Sequence, residues 1–220
     1  MVHDPPRRRW PALLTAGMLG YTAGTLVTRQ TLLRQVATFR ALAEHDPLTG
    51  LPNRRALLAE AHTRLATRTP TVLALLDLDD FKTVNDTWGH PVGDELLTVV
   101  ATRLRTAAAP GGYVARLAGD EFVMLLPDRG ADPAAAVTAI LSVIAEPVHL
   151  DAATLRPHAS AGVATTAHTG SSWPHLIAAA DRALYQAKAR GTHVAVHDHG
   201  SAAGDHEPSP RPRRRRRDRH

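Results

Sequence analysis

Hydrophobic and polar positions change their period along the middle of the chain, which predicts helices and strands that interleave. Apolar residues with strand-like spacing form four stretches, and the longest contains a tight-turn sequence between two apolar runs. Apolar residues at helical spacing form four more, the first of them after Asn53, a residue type typical of an N-cap. The predicted strands are Thr71–Phe81, the hairpin Tyr113–Pro127, Ala159–Thr165 and His193–Asp198, and the predicted helices are Asn53–Thr67, Gly93–Ala108, Pro133–Glu146 and Trp173–Arg190. This order predicts an α/β or α+β fold with a mixed sheet.

An uncharged stretch near the N-terminus has the length of a membrane-spanning helix. Residues 10–28 contain 19 residues without a charge between two arginines, close to the ~20 that cross a bilayer. Ala16, Gly20 and Gly24 repeat every four residues, a pattern that lets membrane helices approach closely. We expect residues 1–28 to be a basic stretch and an anchor in the cell membrane, with the folded part on the cytoplasmic side. A signal peptide or a weakly amphipathic helix are the alternatives.

Two further segments flank the folded part. Residues 29–45 carry apolar positions at 4-3-4 spacing from Leu32 to Ala43, which indicates a short heptad seam that pairs two subunits. A helix that packs on its own domain explains the same spacing. Residues 198–220 are rich in Gly, Ser and Pro and end in "RPRRRRRDRH", a composition typical of a disordered basic tail. Its arginines could alternatively contact anionic lipid or nucleic acid.

The charge distribution argues against a nucleic-acid-binding domain. The net charge of +5 divides into +5 for residues 1–40 and +6 for residues 211–220, which leaves −6 for residues 41–210. A nucleic-acid-binding domain carries its basic residues on the folded surface, so we expect no specific nucleic acid partner. The absence of cysteine excludes disulfides, thiolate metal sites and thiol nucleophiles.

Acidic side chains cluster where two of the predicted strands end. Asp77 and Asp79 lie two residues apart at the end of a strand, so they share one side of it, and Asp120 and Glu121 lie at the tip of the hairpin. If the hairpin lies next to that strand, Asp77 and Asp120 could share Mg²⁺, which binds one or two carboxylates plus substrate phosphates. No P-loop motif is present, so we expect phosphates on loop amides at Phe81–Val84 and on lysines. Each acid taken alone is explained as a surface carboxylate.

Four stretches in this order resemble the motifs of the GGDEF family of diguanylate cyclases: "DPLTGLPNRR", "DLDDFKTVNDTWGHPVGDELL", "RLAGDEF" and "ADRALYQAKARG". The resemblance covers residues 46–196 and indicates a catalytic domain at 46–197. It implies a central, mostly antiparallel sheet flanked by helices, related to nucleotide cyclase catalytic domains. It also implies that two GTP condense to cyclic di-GMP and two pyrophosphates, with Mg²⁺ or Mn²⁺. The reaction then needs a homodimer, because each subunit holds one GTP.

The resemblance also implies a role for each matching residue. Asp77 and Asp120 would bind the metal together with the Leu78 carbonyl, and Asn85 and Asp94 would recognise guanine. Phe122 is expected in the core. The other residues implied in GTP binding are Phe81, Lys82, Gly119, Lys188 and Arg190, and the residues implied in catalysis are Lys82, Asp120 and Glu121.

The chain departs from the family pattern at three places. Ala118 replaces the first glycine of the signature, which costs roughly 1–2 kcal/mol if the position needs a positive φ and almost nothing if it only needs a small residue. Thr192 and His193 replace an Arg-Asn pair, and Arg190 is a possible substitute for the lost phosphate contact. The window expected to hold an R-x-x-D product-inhibition motif reads "APGG" at residues 109–112, so we expect no feedback there.

Three functions are compatible with these motifs. The intact signature acids and Asp94 favour an active diguanylate cyclase. A catalytically silent module that binds GTP or a partner, as a sensor or scaffold, is the alternative from another class. A cyclase of broader purine specificity is the third.

Overall fold

A five-stranded sheet forms the centre of the fold, and helices pack on its two faces. The computed structural model describes residues 43–108, 110–170 and 172–197. The helices are α1 (Arg54–Ala66), α2 (Phe81–Trp88), α3 (His90–Ala107), α4 (Pro133–Ile144), α5 (Thr166–Thr169) and α6 (Trp173–Arg190). The strands are β1 (Thr71–Leu78), β2 (Tyr113–Ala118), β3 (Glu121–Pro127), β4 (Val148–His149), β5 (Thr154–Leu155), β6 (Ala159–Thr165) and β7 (Val194–Val196).

The sheet has the order β2-β3-β1-β6-β7 and is mostly antiparallel. Strand β1 lies in the middle and runs antiparallel to both β3 and β6, and β2 runs antiparallel to β3. The β6–β7 pair is parallel. A separate ribbon of β4 and β5 lies outside this sheet. The predicted fold class, an α+β domain with a mostly antiparallel sheet flanked by helices, is confirmed.

The central strand separates two hydrophobic layers. Val72 and Leu76 of β1 belong to the layer that contains α3 and α4, whereas Leu73 and Leu75 belong to the layer that contains α1 and α6. This division follows from the alternation of side chains along a strand. It also explains why β1 is apolar without interruption from Val72 to Leu76, since both faces of the strand are covered. By the same alternation Asp77 lies on the α6 side of the sheet.

One predicted loop is a helix. We expected a loop at Phe81–Val84, but Phe81–Trp88 forms α2. Asp80 adopts a left-handed conformation with φ 54° and so turns the chain from the end of β1 directly into α2. Aspartate tolerates this conformation better than most residues, and Phe81 and Val84 then pack against the core. The sequence interpretation also lacked the short elements β4, β5 and α5.

Several predictions fall on residues that the structure does not describe. The membrane segment at 10–28, nearly all of the linker helix at 29–45 and the arginine-rich tail at 198–220 lie outside the described ranges. Of the helices within those ranges, none has both the length and the apolar character that crossing a bilayer requires.

Candidate active site

The hairpin tip lies beside the end of β1. Strand β3 pairs with β1 so that Glu121 is opposite Asp77. The Leu78 N–H donates to the Asp120 carbonyl oxygen at 3.2 Å. The conditional prediction that the hairpin lies next to the first strand is therefore confirmed, and it brings the backbone of the acidic turn to the strand end that carries Asp77.

The turn between β2 and β3 depends on one glycine. Gly119 and Asp120 form a two-residue connection, and Gly119 has φ +55°, which suits glycine at the first position of a tight hairpin turn. A side chain on Gly119 would meet no atom within 4 Å, so the backbone angle requires the glycine. Ala118 does not share that angle: in the described ranges the non-glycine residues with positive φ are Arg68 and Asp80. Alanine at position 118 therefore carries no left-handed strain.

Both lysines of the predicted phosphate site are paired with carboxylates. Lys188, near the C-terminal end of α6, donates from Nζ to Oδ1 of Asp77 at 2.5 Å. Lys82 pairs with Asp86 one turn further along α2, and those side chains are 83% and 61% exposed. Exposed pairs of this kind contribute little to stability, so phosphates can readily take the place of Asp86.

Asp79 contacts a different group of residues. Its backbone N–H donates to the His158 carbonyl at 2.9 Å, and its Oδ1 accepts from the Ser160 hydroxyl at 2.9 Å. Nδ1 of His193 lies 3.9 Å from Asp79 Oδ2, and the His193 ring stacks on His158 with 5.9 Å between centroids. His193, which stands where the family pattern has part of an Arg-Asn pair, thus faces Asp79. Arg190 is the exposed last residue of α6, three positions earlier.

The two residues predicted to recognise guanine lie on consecutive helices. Asn85 belongs to α2 and Asp94 to the second turn of α3. Gly89 has φ +84° and caps both helices, and its N–H donates to the Asn85 carbonyl at 2.9 Å. Gly89 is therefore the whole connection between α2 and α3. Phe81, at the start of α2, is half-buried and packs against the core beneath the helix pair.

The oxygen atoms near the end of β1 are of the type that binds a hard divalent cation. Asp77, Asp120 and the Leu78 carbonyl supply oxygen, which is the ligand type that Mg²⁺ prefers. The Lys188 ammonium shows that a positive charge fits against Asp77. Within the part of the chain that the structure describes, no group of three or more His, Cys, Asp or Glu side chains could hold a metal ion. A bound cation would therefore depend on the carbonyl and on substrate phosphates as well as the two aspartates.

An ion pair that the sequence interpretation missed supports the turn. Arg116 donates from Nη1 to Oδ1 of Asp46 at 2.8 Å and from Nε to the Gly119 carbonyl at 2.9 Å. The same Asp46 oxygen accepts from the backbone N–H and the hydroxyl of Thr49. Burial alone would raise the pKa of Asp46, but the hydrogen bonds from Arg116 and Thr49 and the charge of Arg116 outweigh it, so the pKa is lowered.

Comparisons with known proteins agree with this arrangement. The family model described as "Diguanylate cyclase, GGDEF domain" matches residues 43–193. The chain is similar to MucR of Pseudomonas aeruginosa, a bifunctional diguanylate cyclase/cyclic di-GMP phosphodiesterase, with 39% identity over 77% of this chain and 25% of that protein. It is 41% identical to a signaling protein of Caulobacter vibrioides over 69% of this chain and 20% of that protein.

A solved structure shares the fold. The coiled coil and GGDEF domain of DgcB from Caulobacter crescentus, in complex with c-di-GMP, matches with a TM-score of 0.72 and 30% identity. The match covers 82% of this chain and 98% of that one. By contrast, the chain spans only about a fifth to a quarter of the length of the curated relatives it matches.

Proposed function

This chain belongs to the GGDEF-domain diguanylate cyclase family, and we propose that it condenses two GTP into cyclic di-GMP and two pyrophosphates. The observation that carries the proposal is the pairing of β1 with β3, which brings the turn containing Asp120 to the end of β1 beside Asp77 and Leu78. The unstrained Ala118 supports activity, because the departure from the signature leaves the turn intact.

Members of this family generally use divalent metal ions, and we propose Mg²⁺ or Mn²⁺ here. Asp77, Asp120 and the Leu78 carbonyl would hold the ion. When bound, a divalent cation neutralises charge on the triphosphate and lowers the pKa of the attacking hydroxyl. Lys188, which lies 2.5 Å from Asp77, would exchange that carboxylate for a phosphate oxygen when the metal–nucleotide complex binds.

GTP is proposed to lie along α2 and α3. Asp94 would accept from the N1–H and N2–H₂ edge of guanine, which adenine cannot donate, and Asn85 would complete the contact. The phosphates would lie near the first turn of α2, where backbone amides and the helix dipole favour anions. The other proposed GTP contacts are Phe81, Gly119, Lys82, Lys188 and Arg190.

The chemistry requires two subunits that face each other. Each 3′-oxygen attacks the α-phosphorus of the other GTP, the bond from that phosphorus to the β-phosphate oxygen breaks, and pyrophosphate leaves. Each 3′-hydroxyl gives its proton to water as its phosphodiester bond forms. Lys82 would hold the triphosphate in line and Asp120 would act through the metal ion; Glu121 is the third residue proposed in catalysis. The dimer supplies the alignment of the reacting atoms. A homodimer of the catalytic domain at 46–197 is therefore part of the proposal.

We propose that product does not inhibit through residues 109–112. Gly112 packs against the backbone, and a Cβ there would lie 1.9 Å from the Ala108 carbonyl oxygen. The aspartate of an R-x-x-D motif would need that space. A membrane anchor and a lipid contact of the tail stay predictions from the sequence.

The test is a product assay on the purified chain with GTP and Mg²⁺ or Mn²⁺, read by chromatography. We expect cyclic di-GMP, with specific activity rising with protein concentration as the dimer forms. Asp120→Ala should abolish turnover, whereas Asp128→Ala, beyond the opposite end of β3, should keep it because that carboxylate accepts from Gly130 outside the site. GTP bound without any product at high protein concentration would support the silent module instead.

A further inference from the structure

Gly93 lies against Asn85 of the proposed guanine site and against Phe81, another proposed GTP contact. It is buried within α3, and a Cβ built on it would lie 2.1 Å from Oδ1 and 3.0 Å from Cγ of Asn85. The same Cβ would lie 3.2 Å from Cζ of Phe81. The Asn85 carboxamide therefore occupies the space that any other amino acid at position 93 would fill. Glycine inside a helix is intrinsically unfavourable, so its presence needs a packing or functional reason.

The nature of the contact distinguishes a positioning role from a role in folding. The nearest atom to Gly93 is the end of the Asn85 side chain, which can rotate away, and the fold would survive that rotation. Gly162 in β6 gives the contrast, since a Cβ there would lie 2.1 Å from the Ala180 carbonyl oxygen and 2.2 Å from the Leu184 nitrogen. Backbone atoms inside a packed core cannot move aside in that way.

We propose that Gly93 is a positioning residue for guanine recognition: its missing side chain holds open the space in which the Asn85 carboxamide lies. The inference deepens the proposed function and rests on it. Asp94, which would read the guanine edge, follows Gly93 directly in α3, so both residues of the proposed guanine site meet the same turn of this helix. A methyl group at position 93 would turn Asn85 away and leave Asp94 unchanged.

The experiment measures base selectivity without turnover. 3′-Deoxy-GTP and 3′-deoxy-ATP lack the attacking hydroxyl, so calorimetry on the full chain with Mg²⁺ gives a dissociation constant for each. For Gly93→Ala we expect a folded protein whose selectivity, the ratio of the two constants, falls roughly tenfold, the equivalent of one lost hydrogen bond. Asn85→Ala should lower it by a similar factor. In the Asn85→Ala background, adding Gly93→Ala should change the ratio less than about twofold, because the severe contact at 2.1 Å is then gone and Phe81, at 3.2 Å, needs to shift by only a few tenths of an ångström.

Gly162→Ala is the matched control for a purely structural glycine. It should lower the thermal midpoint, while the protein that remains folded keeps the wild-type selectivity. An unchanged selectivity in Gly93→Ala would overturn the inference, as would an equal further loss in the Asn85→Ala background. A wild-type chain that binds both analogues equally would overturn the proposed guanine site itself, and Gly93 would then have no such role.

Discussion

The Asp46–Arg116 ion pair gives the sharpest stability prediction. The two side chains are 20% and 10% exposed, so solvent screens the pair far less than a surface pair. Asp46→Asn keeps the shape and one oxygen acceptor but removes the charge that Arg116 faces. Removing one partner of a buried pair costs ~3–5 kcal/mol. Since the amide still accepts hydrogen bonds, we expect a loss of about 2 kcal/mol in the free energy of unfolding, or roughly 4–8 °C in the thermal midpoint.

The predicted loss depends on pH with a definite sign. The pKa of Asp46 is lowered in the folded protein from its ordinary 3.8. A carboxyl group whose pKa is lowered by folding stabilises the folded protein at every pH above its pKa in the unfolded chain. This stabilisation disappears as the pH falls through its pKa in the folded protein. The difference in free energy of unfolding between wild type and Asp46→Asn should therefore have its full size at neutral pH. It should shrink only below about pH 4.

Urea unfolding followed by circular dichroism, repeated from pH 7 down to pH 3, measures this difference. Asp86→Asn is the matched control, because it neutralises an aspartate in a pair whose side chains are mostly exposed, and we expect no measurable change from it. An Asp46→Asn chain within about 0.5 kcal/mol of wild type at pH 7 would refute the reasoning, since surface substitutions usually fall in that range. A loss of equal size at pH 3 and pH 7 would show that charge is not its cause.

Two predictions concern the turn and the lysine beside it. Ala118→Gly should leave the initial rate of cyclic di-GMP formation within about twofold and lower the free energy of unfolding by less than ~1 kcal/mol. Glycine brings no advantage here, because alanine already tolerates the φ of this residue. A large gain in rate would contradict this. Lys188→Met should raise the KM for GTP roughly tenfold through the lost phosphate contact. A KM within about twofold of wild type would contradict the phosphate contact.

The sequence was sufficient for the elements whose pattern is local. The hairpin at Tyr113–Pro127 and the buried strand from Thr71 were predicted because apolar runs and a Gly-Asp turn need only neighbouring residues. The cap at Asn53 was predicted for the same reason, and its side chain accepts from the backbone N–H groups of Arg55 and Ala56. Helix α2 was missed because its eight residues contain few apolar positions and follow the strand without a linker.

The contacts that define the site were harder to predict, because they join residues far apart in the chain. Asp46 and Arg116 are 70 positions apart, and Lys188 and Asp77 are 111 apart. Periodicity carries no information about such pairs. Gly93 did leave a local signal, a glycine within an otherwise helical pattern, but the sequence could not show that the carboxamide of Asn85 fills its space.

The charges around the end of β1 indicate how the proposed substrate can bind without leaving a charge unpaired. In the described structure Lys188 neutralises Asp77, and both side chains are partly exposed, at 42% and 21%. A complex of GTP with a divalent cation brings a positive charge for Asp77 and negative charges for Lys188, so each exchanges one partner for another. GTP without a cation would pair with Lys188 and leave the Asp77 carboxylate beside the phosphates. Negative charges that lie close together repel. On the proposed function, Asp77 is therefore the reason that nucleotide binding itself, and not only turnover, should require the metal ion.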